Sequence, residues 1–84
     1  MKKADISIEL EKPLPKIVIR SLEPEVGNAS ELKTQVKIIE TDVGIKLTIE
    51  AENTSSLRAS INSYLRWIDC IISTAHISIN KIIE

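Results

Sequence analysis

The chain has 84 residues, a net charge of −1 and a hydrophobic content of 43%, which together indicate one small folded domain rather than a disordered chain. Tyr64 and Trp67 are the only aromatic residues, so stacking platforms for single-stranded nucleic acid are nearly excluded. The near-neutral charge provides no general attraction for a polyanion. A single cysteine, Cys70, excludes an internal disulfide. Since no signal peptide or long apolar span is present, we expect a cytoplasmic protein.

The first predicted element is a half-buried strand, because Ile6, Ile8 and Leu10 alternate with polar residues. The prolines that follow end it. Pro15 can open a helix, which we expect to end before Pro24, with Gly27-Asn28 as the turn. The β-branched run 17–19 leaves a strand as the alternative. If this segment is a helix, Ile19 falls outside its core stripe.

Two further alternating runs predict a hairpin. Residues 35–40 form the first run, and Val43 to Ala51 form the second and clearer one. We expect the chain to reverse around Thr41-Asp42 and Gly44 to supply a bulge. The second face of each strand is polar, so the sheet should be covered on one side only.

A long helix should follow, capped by Asn53 or Thr54. Its apolar positions recur at the helical period, and those expected to face the sheet are Leu57, Ile61, Tyr64, Leu65, Ile68 and Ile72. Residues 76–84 either continue the helix or form an extended tail. The fold class is therefore α+β, with the order β-α-β-β-α in one domain, residues 1–84. A right-handed crossover leaves room for the third strand between the first two, giving a three-stranded antiparallel sheet with two helices on one face.

The long helix also carries a third kind of surface, of small residues interrupted by Trp67. Small residues let another helix approach closely. The first helix is one candidate for that approach, and a partner helix is the other. Tryptophan is enriched at interface hot spots. We predict a partner-binding surface formed by Ser60, Ser63, Trp67 and, from the first helix, Ile19.

Other polar residues give weaker signals. Arg58 and Arg66 share the polar helix face, where solvation or an Arg66–Asp69 pair is the simple interpretation. The functional alternative is contact with RNA phosphates, together with Lys16 and Arg20. We predict no metal site and no cofactor, because His76 has no companion ligands at a suitable spacing. One histidine, one cysteine and two glycines build neither a catalytic triad nor a phosphate loop, so an enzyme is not predicted.

Three stretches resemble one family. Residues 57–68, LRASINSYLRWI, resemble the helix motif of the Pcc-type small subunit of the KEOPS complex. Residues 21–26, SLEPEV, resemble the end of that family's first helix, and residues 50–56, EAENTSS, its strand-to-helix junction. The resemblance covers roughly Ile6 to Ile72, and the element order agrees.

The resemblance implies a role without catalysis. Subunits of this family form homodimers in archaeal-type complexes, and their two helices bind the Kae-type catalytic subunit. The assembled complex transfers a threonylcarbamoyl group to an adenosine of tRNA, and the small subunit supports assembly and tRNA binding. On this interpretation the dimer forms through an edge of the second strand, with Val36, Ile38 and Ile39 at that edge.

The main alternative is an independent RNA-binding module. KH-type domains share this element order in outline, but their backbone clamp needs a G-x-x-G loop that is absent here.

Overall fold

The computed structural model describes residues 1–29 and 34–83, and the side chains of residues 1–26 and 34–75. In chain order the elements are β1 (Lys2–Glu9), α1 (Leu14–Ala29), β2 (Thr34–Glu40), β3 (Gly44–Ala51) and α2 (Thr54–Ile83). The three strands pair antiparallel in the order β1-β3-β2. The predicted α+β fold is confirmed, with the third strand at the centre of the sheet.

The core lies between one face of the sheet and the two helices. Strand β3 contributes Ile45, Leu47 and Ile49, each at most 1% exposed. Helix α1 contributes Val18 and Leu22, and α2 contributes Tyr64 and Ile68. Alternate residues of β3 point to the opposite, polar face, because side chains change sides at each position along a strand.

The β2–β3 hairpin turns at Asp42-Val43. The Thr41 N–H donates to the Gly44 carbonyl at 2.9 Å, and the Gly44 N–H donates to Thr41 Oγ1 at 3.1 Å. The predicted reversal at Thr41-Asp42 is therefore confirmed. Val43 belongs to the turn and is 65% exposed, so β3 begins one residue later than predicted.

The expected bulge at Gly44 is absent from the described pairing. Gly44 stands in register opposite Glu9, and the register is continuous across both strand pairs. A Cβ atom at Gly44 would overlap the carbonyl oxygen of Ile8 and would lie 2.7 Å from the nitrogen of Leu10. Glycine is required here because the β1 backbone passes too closely for any side chain.

Helix α1 is longer than predicted. It starts at Leu14 and continues through Pro24 and Gly27-Asn28 to Ala29, so the predicted end before Pro24 and the predicted turn are wrong. Pro24 is exposed, and the carbonyl that loses its hydrogen bond can be solvated on the outer side of the helix. Val26 packs against the core cluster one turn after Leu22, and this packing offsets the lost hydrogen bond.

Helix α2 begins at the predicted cap and continues past the predicted core. Asn53 Oδ1 accepts a hydrogen bond from the Ser56 N–H at 2.8 Å, which identifies Asn53 as the N-cap. The helical backbone extends to Ile83, so the extended-tail alternative is wrong. The side chains of residues 76–84 lie outside the described residues.

One predicted core residue of α2 is wrong. Leu65 is 39% exposed, whereas Tyr64 is 4% exposed. Adjacent residues differ by about 100° around a helix, so Tyr64 and Leu65 cannot both face the sheet. Ile71 packs against the core as well as Ile72, which places the apolar stripe on the Tyr64 side.

The close contact at Gly44 gives a stability prediction. Gly44→Ala forces a methyl group into the β1 backbone, and we expect it to lower the free energy of unfolding by about 1–3 kcal/mol, as overpacking does. Val43→Ala, at the exposed neighbouring position, should change it by less than about 0.5 kcal/mol. Urea unfolding followed by circular dichroism measures both. Equal effects of the two substitutions would contradict the close contact.

Candidate partner-binding surfaces

The small-residue surface predicted on α2 forms one continuous strip, which we call the helix seam: Ser60, Ser63 and Trp67. Residues three and four apart share a helix face. Ser60 and Ser63 are half-buried, and Trp67 is 38% exposed. The Trp67 ring meets the ring of Tyr64 edge-on, with 5.1 Å between centroids and 76° between planes. Trp67 therefore covers the core from outside and presents part of its ring to solvent.

Ile19 does not join the helix seam. It packs against the core cluster and lines a groove of about 340 Å³ between α1 and β2. We call this the edge groove, lined by Ile19, Glu23, Val26, Val36, Lys37, Ile38 and Ile39. No residue of α2 is among the described residues that line it. The structure thus brings Ile19 to the predicted dimer edge and separates it from the other three predicted partner-binding residues.

The predicted dimer residues lie on β2, which ends the described sheet on one side. Val36 and Ile38 are half-buried and pack against the core, on the face that the helices cover. Ile39 points to the polar face and is 54% exposed. The predicted edge position of β2 is confirmed, and it combines an open backbone with apolar side chains on both faces.

The four basic residues predicted to contact RNA are all exposed. Lys16 and Arg20 lie on α1, and Arg58 and Arg66 lie on α2. Arg58 lines a shallow depression at the start of α2 together with Thr54, Ser55, Ala59 and Asn62. Within the described residues Arg66 forms no ion pair with Asp69, which favours solvation over pairing.

One charged residue that the sequence did not single out, Glu25 of α1, acts on the buried Tyr64 of α2. Burial of Tyr64, and then the nearby carboxylate of Glu25, raise the pKa of the Tyr64 phenol above its ordinary value of 10.0. Both causes oppose the phenolate, since burial disfavours charge and Glu25 repels it. The charge of Glu25 on α1 therefore acts on the phenol of the ring that supports Trp67.

The chain matches the model of a protein family over residues 3–76, and that family is described as transcription factor Pcc1. The chain belongs to the Pcc1 family. This confirms the resemblance noted in the sequence, because Pcc1 is the small-subunit family of the KEOPS complex. Membership in the Pcc1 family suggests an accessory subunit of KEOPS, in the context of tRNA processing. A comparison with curated protein sequences gave no match.

The edge groove is the part of this Pcc1-family chain that the sequence prediction missed. Ile19 and Val26 lie seven residues apart, so a helix that continued through Pro24 would have placed them on one face. That spacing was the available signal, and the predicted early end of α1 concealed it. The sequence prediction also missed the exposure of Leu65, on the other flank of α2, because Leu65 lies among apolar residues.

The described residues show neither a metal site nor a membrane span. Among the described side chains, those of residues 1–26 and 34–75, no three His, Cys, Asp or Glu are grouped so that they could hold a metal ion. Neither described helix combines the length and apolar content needed to cross a bilayer.

The position of Trp67 above the core predicts a moderate cost for its removal. We expect Trp67→Ala to lower the free energy of unfolding by about 1–2 kcal/mol, from the lost aromatic pair and partial burial. Tyr64→Ala, within the core, should cost about 3–5 kcal/mol. Chemical denaturation of both variants provides the comparison. If Trp67→Ala costs as much as Tyr64→Ala, Trp67 is a core residue and the helix seam is not a docking surface.

The raised pKa of Tyr64 predicts a loss of stability at alkaline pH. The unfolded phenol ionises near 10.0, whereas the folded phenol stays neutral to higher pH. Stability from this group is therefore fully present below pH 10 and falls as the pH rises through the folded pKa. Tyr64→Phe should flatten this alkaline decrease, and Glu25→Gln should lower the pKa of Tyr64. Tyrosinate absorbance and unfolding at several pH values test this, and an unchanged pKa in Glu25→Gln would exclude the contribution of Glu25.

Proposed function

We propose that this chain is a non-catalytic scaffold subunit of a KEOPS complex. It pairs with a second copy of itself, docks the Kae-type catalytic subunit on its helices, and supports threonylcarbamoyl transfer to tRNA. The observation that carries the proposal is membership in the Pcc1 family over residues 3–76. The geometry adds two separate surfaces suited to the two contacts.

The helix seam supports docking of the catalytic subunit. Ser60 and Ser63 are small enough for a partner helix to approach α2 closely. Next to them, Trp67 offers a partly exposed ring held in place by Tyr64. Tryptophan is one of the residue types enriched at interface hot spots. Because Ile19 lies on the other side of α1, we now centre the proposed contact on α2.

The edge of β2 supports dimerisation. An exposed strand edge favours pairing with another strand unless it is covered or charged. On β2 the open edge continues into the edge groove, whose apolar side chains would gain burial from a second copy. Two three-stranded sheets joined here form one sheet of six strands.

Contact with tRNA would come from the exposed basic residues of the assembled complex. Lys16, Arg20, Arg58 and Arg66 are exposed, and none of them forms an ion pair with another described side chain. Such residues contribute to phosphate binding mainly by releasing counterions. With a net charge of −1, the chain alone should bind RNA weakly, so tRNA binding belongs to the complex.

Docking is tested with two matched substitutions on α2. Trp67→Ala and Leu65→Ala each remove an apolar side chain of almost equal exposure, 38% and 39%. The two positions are about 200° apart around the helix. We expect Trp67→Ala to weaken binding of the Kae-type subunit by at least ~30-fold, as hot-spot residues do, and Leu65→Ala to change it little. Titration calorimetry measures the affinity, and light scattering measures the mass of each species.

The outcomes separate the alternatives. A larger effect of Leu65→Ala would move the docking surface to the opposite flank of α2. If the chain shows no binding to the Kae-type subunit, the scaffold proposal is overturned. If that chain instead bound RNA alone, with affinity falling steeply as salt rises, the independent RNA-binding module would replace it.

A further inference from the structure

The backbone hydrogen bonds identify which residues face the open edge of β2. The Thr41 N–H donates to the Gly44 carbonyl across the hairpin, in the phase of a hydrogen-bonded pair. In antiparallel strands such pairs alternate with pairs that are not bonded. Odd-numbered residues of β2 therefore direct their N–H and C=O groups to β3. Val36, Ile38 and Glu40 direct theirs outward.

The same reasoning shows that the β1 edge is different. The Leu10 N–H donates to the Val43 carbonyl at 2.9 Å, so even-numbered residues of β1 bond to β3. Those with outward backbone groups are Lys3, Asp5, Ser7 and Glu9, all exposed. Charged residues along an edge discourage strand pairing. On β2 the corresponding side chains include Val36 and Ile38, which are half-buried and apolar.

Building on the dimer proposed above, we propose its register: β2 pairs antiparallel with β2 of a second copy about a two-fold axis through Ile38. Ile38 then lies opposite Ile38 of the second copy, and Val36 lies opposite Glu40. On the polar face, Lys37 lies opposite Ile39. The occupant of the edge groove is thus the same groove of a second copy.

Axes through other residues of β2 also keep the hydrogen-bonding groups in phase, and the three with the most overlap near the strand centre are each less favourable. An axis through Lys37 places that ammonium directly opposite its own copy, at a closely spaced pair where like charges repel. An axis through Ile39 places Val36 opposite the β2–β3 turn of the second copy, where no strand residue can pair with it. An axis through Val36 leaves Ile39 opposite no residue of β2. Only the axis through Ile38 pairs Val36, Ile38 and Glu40 with each other.

The chosen register also accounts for the exposed Ile39. At 54% exposure it is the large apolar side chain on the polar face of the described sheet. Opposite Lys37 of the second copy, it can be covered by the lysine methylene groups while the ammonium stays in water. On the other face, Ile19 and Val26 of the two copies approach each other across the axis.

Disulfide trapping tests the register in a Cys70→Ser background. Residues opposite each other in a non-bonded pair lie about 4.5 Å apart at Cα, within reach of a disulfide. We prepare Lys37→Cys and Ile39→Cys as separate chains of different mass and refold them together under mild oxidation. We expect a cross-linked heterodimer and little cross-linking of either variant alone.

Each other result has a definite meaning. Cross-linking of Lys37→Cys alone places the axis at Lys37, and cross-linking of Ile39→Cys alone places it at Ile39. A cross-link between Gln35→Cys and Lys37→Cys places it at Val36. Each of these overturns the register but retains the dimer. A dimer with no cross-link in any of these combinations rejects pairing of β2 about an axis at residues 36–39, and a monomer by light scattering rejects the dimer of the proposed function itself.

A second measurement avoids cysteines. Ile39→Glu places a carboxylate opposite Lys37 of the second copy, and Ile39→Lys places an ammonium there. We expect the Ile39→Lys dimer to dissociate at least ~5-fold more readily at low salt, with the difference shrinking as salt rises. Equal dimer affinities for the two variants would overturn the register.

Discussion

Strand β3 is the element on which the rest of the structure depends. It pairs with β1 on one side and β2 on the other, and Ile45, Leu47 and Ile49 lie under both helices. These three side chains are at most 1% exposed, so they supply a large share of the burial available to a chain of this size. Because β3 occupies the centre, both other strands become edges, and Gly44 must lack a side chain where β1 passes.

The strands and their order could be predicted because alternation reports directly on a sheet with one covered face. On β2, Val36 and Ile38 alternate with Lys37. On β3, Ile45 and Leu47 alternate with Lys46, so only one face of each strand can turn to the core. The helix boundaries were harder. Proline weighs against a helix locally, but the packing of Val26 beyond Pro24 is a tertiary gain that local rules do not contain. The set of α2 residues predicted to face the sheet wrongly included Leu65, because local periodicity does not contain the packing that decides its edge.

The candidate surfaces were predicted in part. Ser60, Ser63 and Trp67 follow from their spacing on α2, and the edge position of β2 follows from the crossover. The edge groove required the true end of α1, and the proximity of Glu25 to Tyr64 required the angle between the helices. The helix seam lies on α2 and the edge groove lies between α1 and β2, so the two proposed contacts, with a catalytic partner and with a second copy, use separate surfaces of one subunit.

For the proposed dimer, the difference between the two sheet edges also sets the size of the assembly. A strand that adds to β2 leaves β1 of each copy at the outside, where Lys3, Asp5 and Glu9 are exposed. Each subunit then has one sheet edge that can accept another strand. In the proposed dimer, copies join in twos and do not propagate into a fibre, so the β2 edge can bind a neighbour without open-ended polymerisation.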